Sequence, residues 1–109
     1  MLVVFTTTSD FVEGEKLARS LVNAKLAACV QILPKVTSVY SWEGKIRKDE
    51  EFLLIIKSLP EKYPELEAFI AGNHSYDVPE IVAIDAEHTS ARYHQWLSEY
   101  LADRPKTLA

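Results

Sequence analysis

The chain opens on a β-branched, apolar run, "LVVFTTT" at residues 2 to 8, which reads as a strand. Ser9 and Asp10 then offer an N-cap, with Glu13 three residues beyond Asp10, the arrangement that starts a helix. Between Phe11 and Leu26 the apolar positions Leu17, Ala18, Leu21, Val22 and Leu26 recur at three- and four-residue spacing, while Glu13, Lys16, Arg19 and Lys25 take the other side. That spacing predicts a helix with one face on a sheet. Ala28 to Trp42 is strand-like again, and Pro34 within it removes a ladder donor, which predicts an edge strand or a bulge. After "WEGK", where Gly44 permits a tight turn, Ile46 to Ser58 forms a second strand that pairs antiparallel with the first. Ser58 reads as the cap of a second helix, with Pro60 and Pro64 in its first turn, Tyr63, Leu66, Phe69 and Ile70 as its apolar stripe, and Gly72 as its left-handed end. Ile81 to Ala86 is the last core strand. Thr89 or Ser90 caps a final helix on which Tyr93, Trp96, Leu97, Tyr100 and Leu101 share a face, and the tail "ADRPKTLA" is expected to fray.

The order β-α-β-β-α-β plus one helix predicts an α+β, ferredoxin-like sandwich with an additional C-terminal helix and a long β-hairpin. No repeat or linker divides residues 1–109, so a single domain is expected. A strand from 46 to 58 would measure ~43 Å, whereas a compact domain of this size has a radius of gyration of only ~13 Å. The hairpin tip must therefore overhang its own core. Val36, Ser38, Tyr40 and Trp42 would share one face of it, and aromatics exposed on an edge strand invite association. The competing arrangement is a break at "RKDEE", residues 47 to 51, that folds Trp42 back on its own domain.

Composition narrows the function classes. Twelve basic against sixteen acidic side chains give a formal net charge of -4, which provides no electrostatic footprint for nucleic acid or an anionic membrane. Neither partner is expected. Apolar runs are far shorter than the ~20 residues that span a bilayer, "MLVVF" is a poor signal peptide, and the one cysteine, Cys29, cannot form an internal disulfide. A cytoplasmic protein is the expectation. The three histidines, His74, His88 and His94, share no CxxC or HExxH spacing with another ligand, so His88 and His94 read as surface residues. No Gly-x-Ser-x-Gly elbow, phosphate-cradling glycine loop or Arg-bearing loop after the first strand occurs, and an enzyme is not expected.

Four stretches, "KLAACVQILP" (25 to 34), "TSVYSWEGKI" (37 to 46), "EEFLLIIKS" (50 to 58) and "HSYDVPEIV" (74 to 82), together resemble the CutA family of divalent-cation tolerance proteins. The resemblance implies a small cytosolic homotrimer, similar in architecture to PII signalling proteins, with Tyr40 and Trp42 at the trimer interface. It also implies a role in tolerance of copper or another divalent cation, with Cu(II) as the candidate ligand. Of the copper ligands suggested in some bacterial members, only His74 is matched: Thr6 stands in place of a Cys, and Asn73 in place of the first His of a pair. Cys29 matches the family's "AAC", and a thiolate with an imidazole would make a soft copper site, whereas its apolar strand reads it as an inert buried thiol. The alternative function is a PII-like regulator that binds a small molecule or protein partner at inter-subunit clefts. Lys57, Tyr76 and Glu80 are the candidate polar groups of such a cleft.

Overall fold

The computed structural model describes residues 1–102, so the expectation for the tail from residue 103 onward lies outside the described residues. Strands β1 (Leu2–Thr8), β2 (Cys29–Trp42), β3 (Lys45–Ser58) and β4 (Val82–Asp85) alternate with helices α1 (Phe11–Asn23), α2 (Tyr63–Gly72) and α3 (Ala91–Ala102) in the predicted order. The sheet order is β2-β3-β1-β4, with every neighbouring pair antiparallel. This is the α+β, ferredoxin-like arrangement, and it leaves β2 at an edge where Pro34 is tolerated.

Strand alternation sends Leu2, Val4, Leu54 and Ile56 to one face, where they meet Leu17 and Leu21 of α1 and Leu66 and Ile70 of α2 in the main core. Helix α3 packs at the strand ends instead, through Leu97 and Leu101 against Ala28, Met1 and Leu59. Trp96 of its predicted stripe stays exposed. Asp10 caps α1 as expected, its carboxylate accepting from the Glu13 amide at 2.8 Å. The helix stops short of Leu26 because Lys25 adopts φ 61°, and the Leu26 amide bonds back to the Leu21 carbonyl in a Schellman-type closure.

Two predicted helix ends are corrected. Ser58 is no cap: its hydroxyl is buried and donates to the Leu26 carbonyl at 2.7 Å, and a 3₁₀ turn, Pro60–Lys62, leads into α2 with no side-chain cap. Gly72 is not left-handed either, since among the described residues the positive-φ ones are Lys25, Lys35, Glu43 and Gly44, and α2 ends at Asn73 with φ -123°.

The hairpin remains paired to its tip, and no break occurs at residues 47 to 51. Glu43 at φ 51° and Gly44 at φ 77° form the two-residue turn whose twist matches that of paired strands. Pro34 and Lys35 sit at a bulge between Leu33 and Val36. The longest dimension of the molecule is 46 Å, against a radius of gyration of 14.8 Å. The overhang is therefore real, and it leaves Tyr40 38% and Trp42 44% exposed.

Candidate functional site

The "GNHSYDVPEIVAI" stretch leaves α2 and crosses the end of the sheet before entering β4. His74 anchors it. Its side chain is fully buried, with Nε2 2.6 Å from the Thr7 carbonyl and Nδ1 accepting the Tyr76 amide at 3.0 Å. A carbonyl can only accept and an amide can only donate, so the ring is the neutral Nε2–H tautomer. Both nitrogens are then engaged, and neither offers a lone pair to a metal.

Glu13, on the first turn of α1, holds the next residue. Its carboxylate accepts the Ser75 amide at 2.9 Å and the Ser75 hydroxyl at 3.0 Å, and lies 3.8 Å from His74 Nδ1. Burial pushes the Glu13 carboxyl up, but the hydrogen bonds it accepts from Ser75 and Ser9 outweigh it, and the net shift is downward from 4.5. Tyr76 completes the anchor by donating its phenol to Glu51 at 2.7 Å. Burial first, and the Glu51 carboxylate second, push the Tyr76 phenol well above its ordinary 10.0.

This anchored loop and the overhanging hairpin enclose a cleft of ≈ 590 Å³. The hairpin contributes Tyr40, Trp42, Arg47, Asp49 and Glu51, and the loop contributes Tyr76, Asp77 and Glu80. Tyr40 donates its phenol to Asp49, which raises the phenol above 10.0. Of the three predicted cleft groups, Tyr76 and Glu80 thus meet, together with Tyr40 and Trp42. Lys57 does not join them. It lies six residues from Glu51 along β3, roughly 20 Å by strand rise, where its ammonium donates to Gln31 at 2.8 Å.

Cys29 is equally remote from His74. Cys29 pairs with Lys57 and, through it, aligns with Val3, whereas His74 bonds Thr7. Four residues of β1, roughly 13 Å, and two strand spacings, roughly 10 Å, separate the two within one chain. Cys29 is half-buried rather than enclosed, and it lies against Tyr93, whose phenol burial and the Cys29 sulfur together raise. Thr6 is buried in the core with its hydroxyl unpartnered. His88 and His94 are exposed, as expected. Among the described residues no group of three or more His, Cys, Asp or Glu side chains is placed to hold a metal ion.

Reading the residues alone missed Glu13, Arg47, Asp49, Glu51 and Asp77. The hairpin set was legible in principle, because a two-residue turn at Glu43-Gly44 dictates that Tyr40 faces Arg47 and lies diagonal to Asp49. No local signal links Glu13 to Ser75, 62 residues away.

A profile of the family described as CutA1 divalent ion tolerance protein matches residues 2–100. The chloroplastic protein CutA of Arabidopsis thaliana is 46% identical over 96 residues, covering 88% of this chain and 53% of that protein. The divalent-cation tolerance protein CutA of Thermus thermophilus is 39% identical over 98 residues, covering 90% of this chain and 94% of its own. The chain thus spans about half the length of the plant and animal relatives it matches, such as 53% of the human protein CutA, but nearly all of the Thermus one. Among solved structures, Thermus thermophilus Cut A1 superposes with a TM-score of 0.89 at 38% identity, covering 92% of this chain and 98% of that one. A CutA from Archaeoglobus fulgidus, described as periplasmic, superposes with a TM-score of 0.89 at 36% identity, covering 93% and 99%. These relatives correct one expectation. With chloroplastic proteins in Arabidopsis and rice and a periplasmic one in Archaeoglobus, the family is not confined to the cytoplasm, and the cytoplasmic assignment does not stand. A short apolar composition cannot report the compartment, because the folded domain is the same in each. Profile, relatives and superposed structures agree with the four quoted motifs, and the chain belongs to the CutA1 divalent ion tolerance family.

Proposed function

We propose that this chain acts in divalent-cation tolerance as a homotrimer that works by binding rather than by catalysis. The observation that supports this reading is an apolar sheet face opposite the helices. Alternation puts Val3 and Phe5 of β1, Leu33 of β2, Leu53 and Ile55 of β3 and Val82 and Ile84 of β4 on that face. Leu33 is 39%, Val82 50% and Ile84 52% exposed, so large apolar side chains of this face stand open to water in the single chain. A second copy would bury it, and the overhanging hairpin supplies an edge on which neighbours can pair. The number three rests on the family resemblance.

Any divalent cation that such a trimer holds, Cu(II) included, would draw its ligands from more than one chain, because His74 is engaged and Cys29 is distant. Light scattering of the purified protein tests the assembly: the expected mass is three times 12.4 kDa, and a monomer at micromolar concentration overturns it. Calorimetry with Cu(II) and Zn(II) tests the ligand set. His74→Ala is expected to leave the metal affinity of the folded trimer unchanged, and loss of affinity in that variant would return His74 to the ligand set.

A further inference from the structure

The loop that leaves α2 is tied down by two contacts that a single proton would disturb together. Nδ1 of His74 accepts the Tyr76 amide at 3.0 Å, and it does so only while that nitrogen carries no proton. Glu13 of α1 accepts the Ser75 amide at 2.9 Å, and the same carboxylate oxygen, Oε2, stands 3.8 Å from His74 Nδ1. One oxygen thus serves either Ser75 or a protonated imidazole.

A proton on Nδ1 turns the acceptor into a donor. It then faces the Tyr76 N–H, another donor, and that bond is lost. About 1 Å of movement brings Nδ1 to charge-assisted hydrogen-bond distance of Glu13 instead. The Nε2–H bond to the Thr7 carbonyl survives in both states, so the ring keeps its place. Thr7 on β1 and Phe69 and Asn73 at the end of α2 bring no charge to it, and the charged groups of α1 in the same groove are Asp10, Glu13 and Lys16. From β3, Glu51 and Asp49 lie beyond the Tyr76 phenol, whose ring is 4.8 Å from the imidazole. Between about pH 8 and 5 histidine is the side chain that ordinarily changes charge, and Glu13, held below 4.5, stays ionised there.

We propose that His74 is a proton-operated latch on this loop. Neutral, it holds the Tyr76 amide and leaves Glu13 to hold Ser75. Protonated, it releases the Tyr76 amide and draws Glu13 off the Ser75 amide, so acid loosens the loop where Tyr76 ties it to Glu51 of the hairpin. The latch lies within one chain and does not rest on the assembly or the cation role proposed above.

Nuclear magnetic resonance of the isotope-labelled full chain, titrated from pH 8 to 5, tests it. Imidazole nitrogen shifts report protonation of His74, and hydrogen-exchange protection, corrected for the intrinsic rate at each pH, reports the Ser75 and Tyr76 amides. Protection of both amides is expected to fall about tenfold as Nδ1 gains its proton, the worth of one net hydrogen bond. Val4 and Ile56, paired in the centre of the sheet, are expected to keep theirs. His74→Asn offers Tyr76 an amide oxygen that does not titrate, and its protection is expected to stay constant over the range. Glu13→Gln is expected to move the loss of protection to lower pH, because the cation then lacks its receiving carboxylate. An imidazole that stays neutral down to pH 5, protection that persists once Nδ1 is protonated, or a loss shared with Val4 and Ile56 would overturn the inference. Should His74→Asn not fold, Glu13→Gln decides, and an unchanged midpoint in that variant overturns the exchange of partners.

Discussion

At the scale of single residues, the loop over the sheet end depends on His74 and Glu13. Truncating His74 to Ala removes two hydrogen bonds and leaves the Thr7 carbonyl and the Tyr76 amide unpaired in a buried setting. A loss of about 2–4 kcal/mol is expected in urea unfolding, since each orphaned group costs about 1–3 kcal/mol. Glu13 predicts a pH dependence. Its folded pKa lies below 4.5, so the unfolded chain binds the proton more readily, and the stability it contributes is present above pH 4.5 and lost as pH falls through the depressed folded value. The unfolding free energies of the parent chain and Glu13→Gln should therefore differ at pH 7, and the gap should shrink as pH falls below 4.5. A constant gap across that window would mean that the carboxylate charge does not hold Ser75. Thr6 points the other way. Its buried hydroxyl has no partner, so Thr6→Val is expected to stabilise the chain by about 1 kcal/mol in the same assay.

At the scale of elements, the approach of α1 to β1 is set by Gly14. A Cβ there would lie 2.8 Å from the Thr8 hydroxyl oxygen and 3.3 Å from a Leu54 methyl, so either those side chains or the helix would have to give way. Gly14→Ala would raise helix propensity by about 1 kcal/mol, yet overpacking costs about 1–3 kcal/mol, and a net decrease in thermal stability is expected. An increase would show that the helix can shift without penalty. The hairpin was the element most open to reading: Gly44 located the turn, Pro34 the irregularity, and strand length the overhang. The ends of α2 were misread because Ser58 and Gly72 have cap-forming residue types whose use depends on the surroundings. Ser58 meets the Leu26 carbonyl across the core, and Asn73 ends the helix without any left-handed residue.

At the scale of the whole molecule, the sheet face opposite the helices is the surface that the proposed assembly would bury. Ile84 is half-exposed on edge strand β4, so Ile84→Lys is tolerated by the isolated fold but would bury an unpaired charge in any assembly built on that face. The variant is expected to shift light scattering toward the 12.4 kDa monomer while its far-ultraviolet circular dichroism stays that of the parent. An unchanged assembly would move the interface elsewhere.

Local chemistry was enough to determine element order, fold class and overhang, because the spacing of apolar residues, the Asp10 cap and the Glu43-Gly44 turn act within a few residues of one another. The family, too, was legible in contiguous motifs. The tertiary structure alone decided what the conspicuous side chains do. His74 had the chemistry of a ligand, and only folding brought it the Thr7 carbonyl, 67 residues away, that occupies it. Cys29 and Lys57 were candidates by residue type, and only the register of β1, β2 and β3 placed them at the far end of the sheet from the cleft. A group's chemistry is written at its own position, whereas its partners are set by long-range packing, and those partners decide whether that chemistry is free to act.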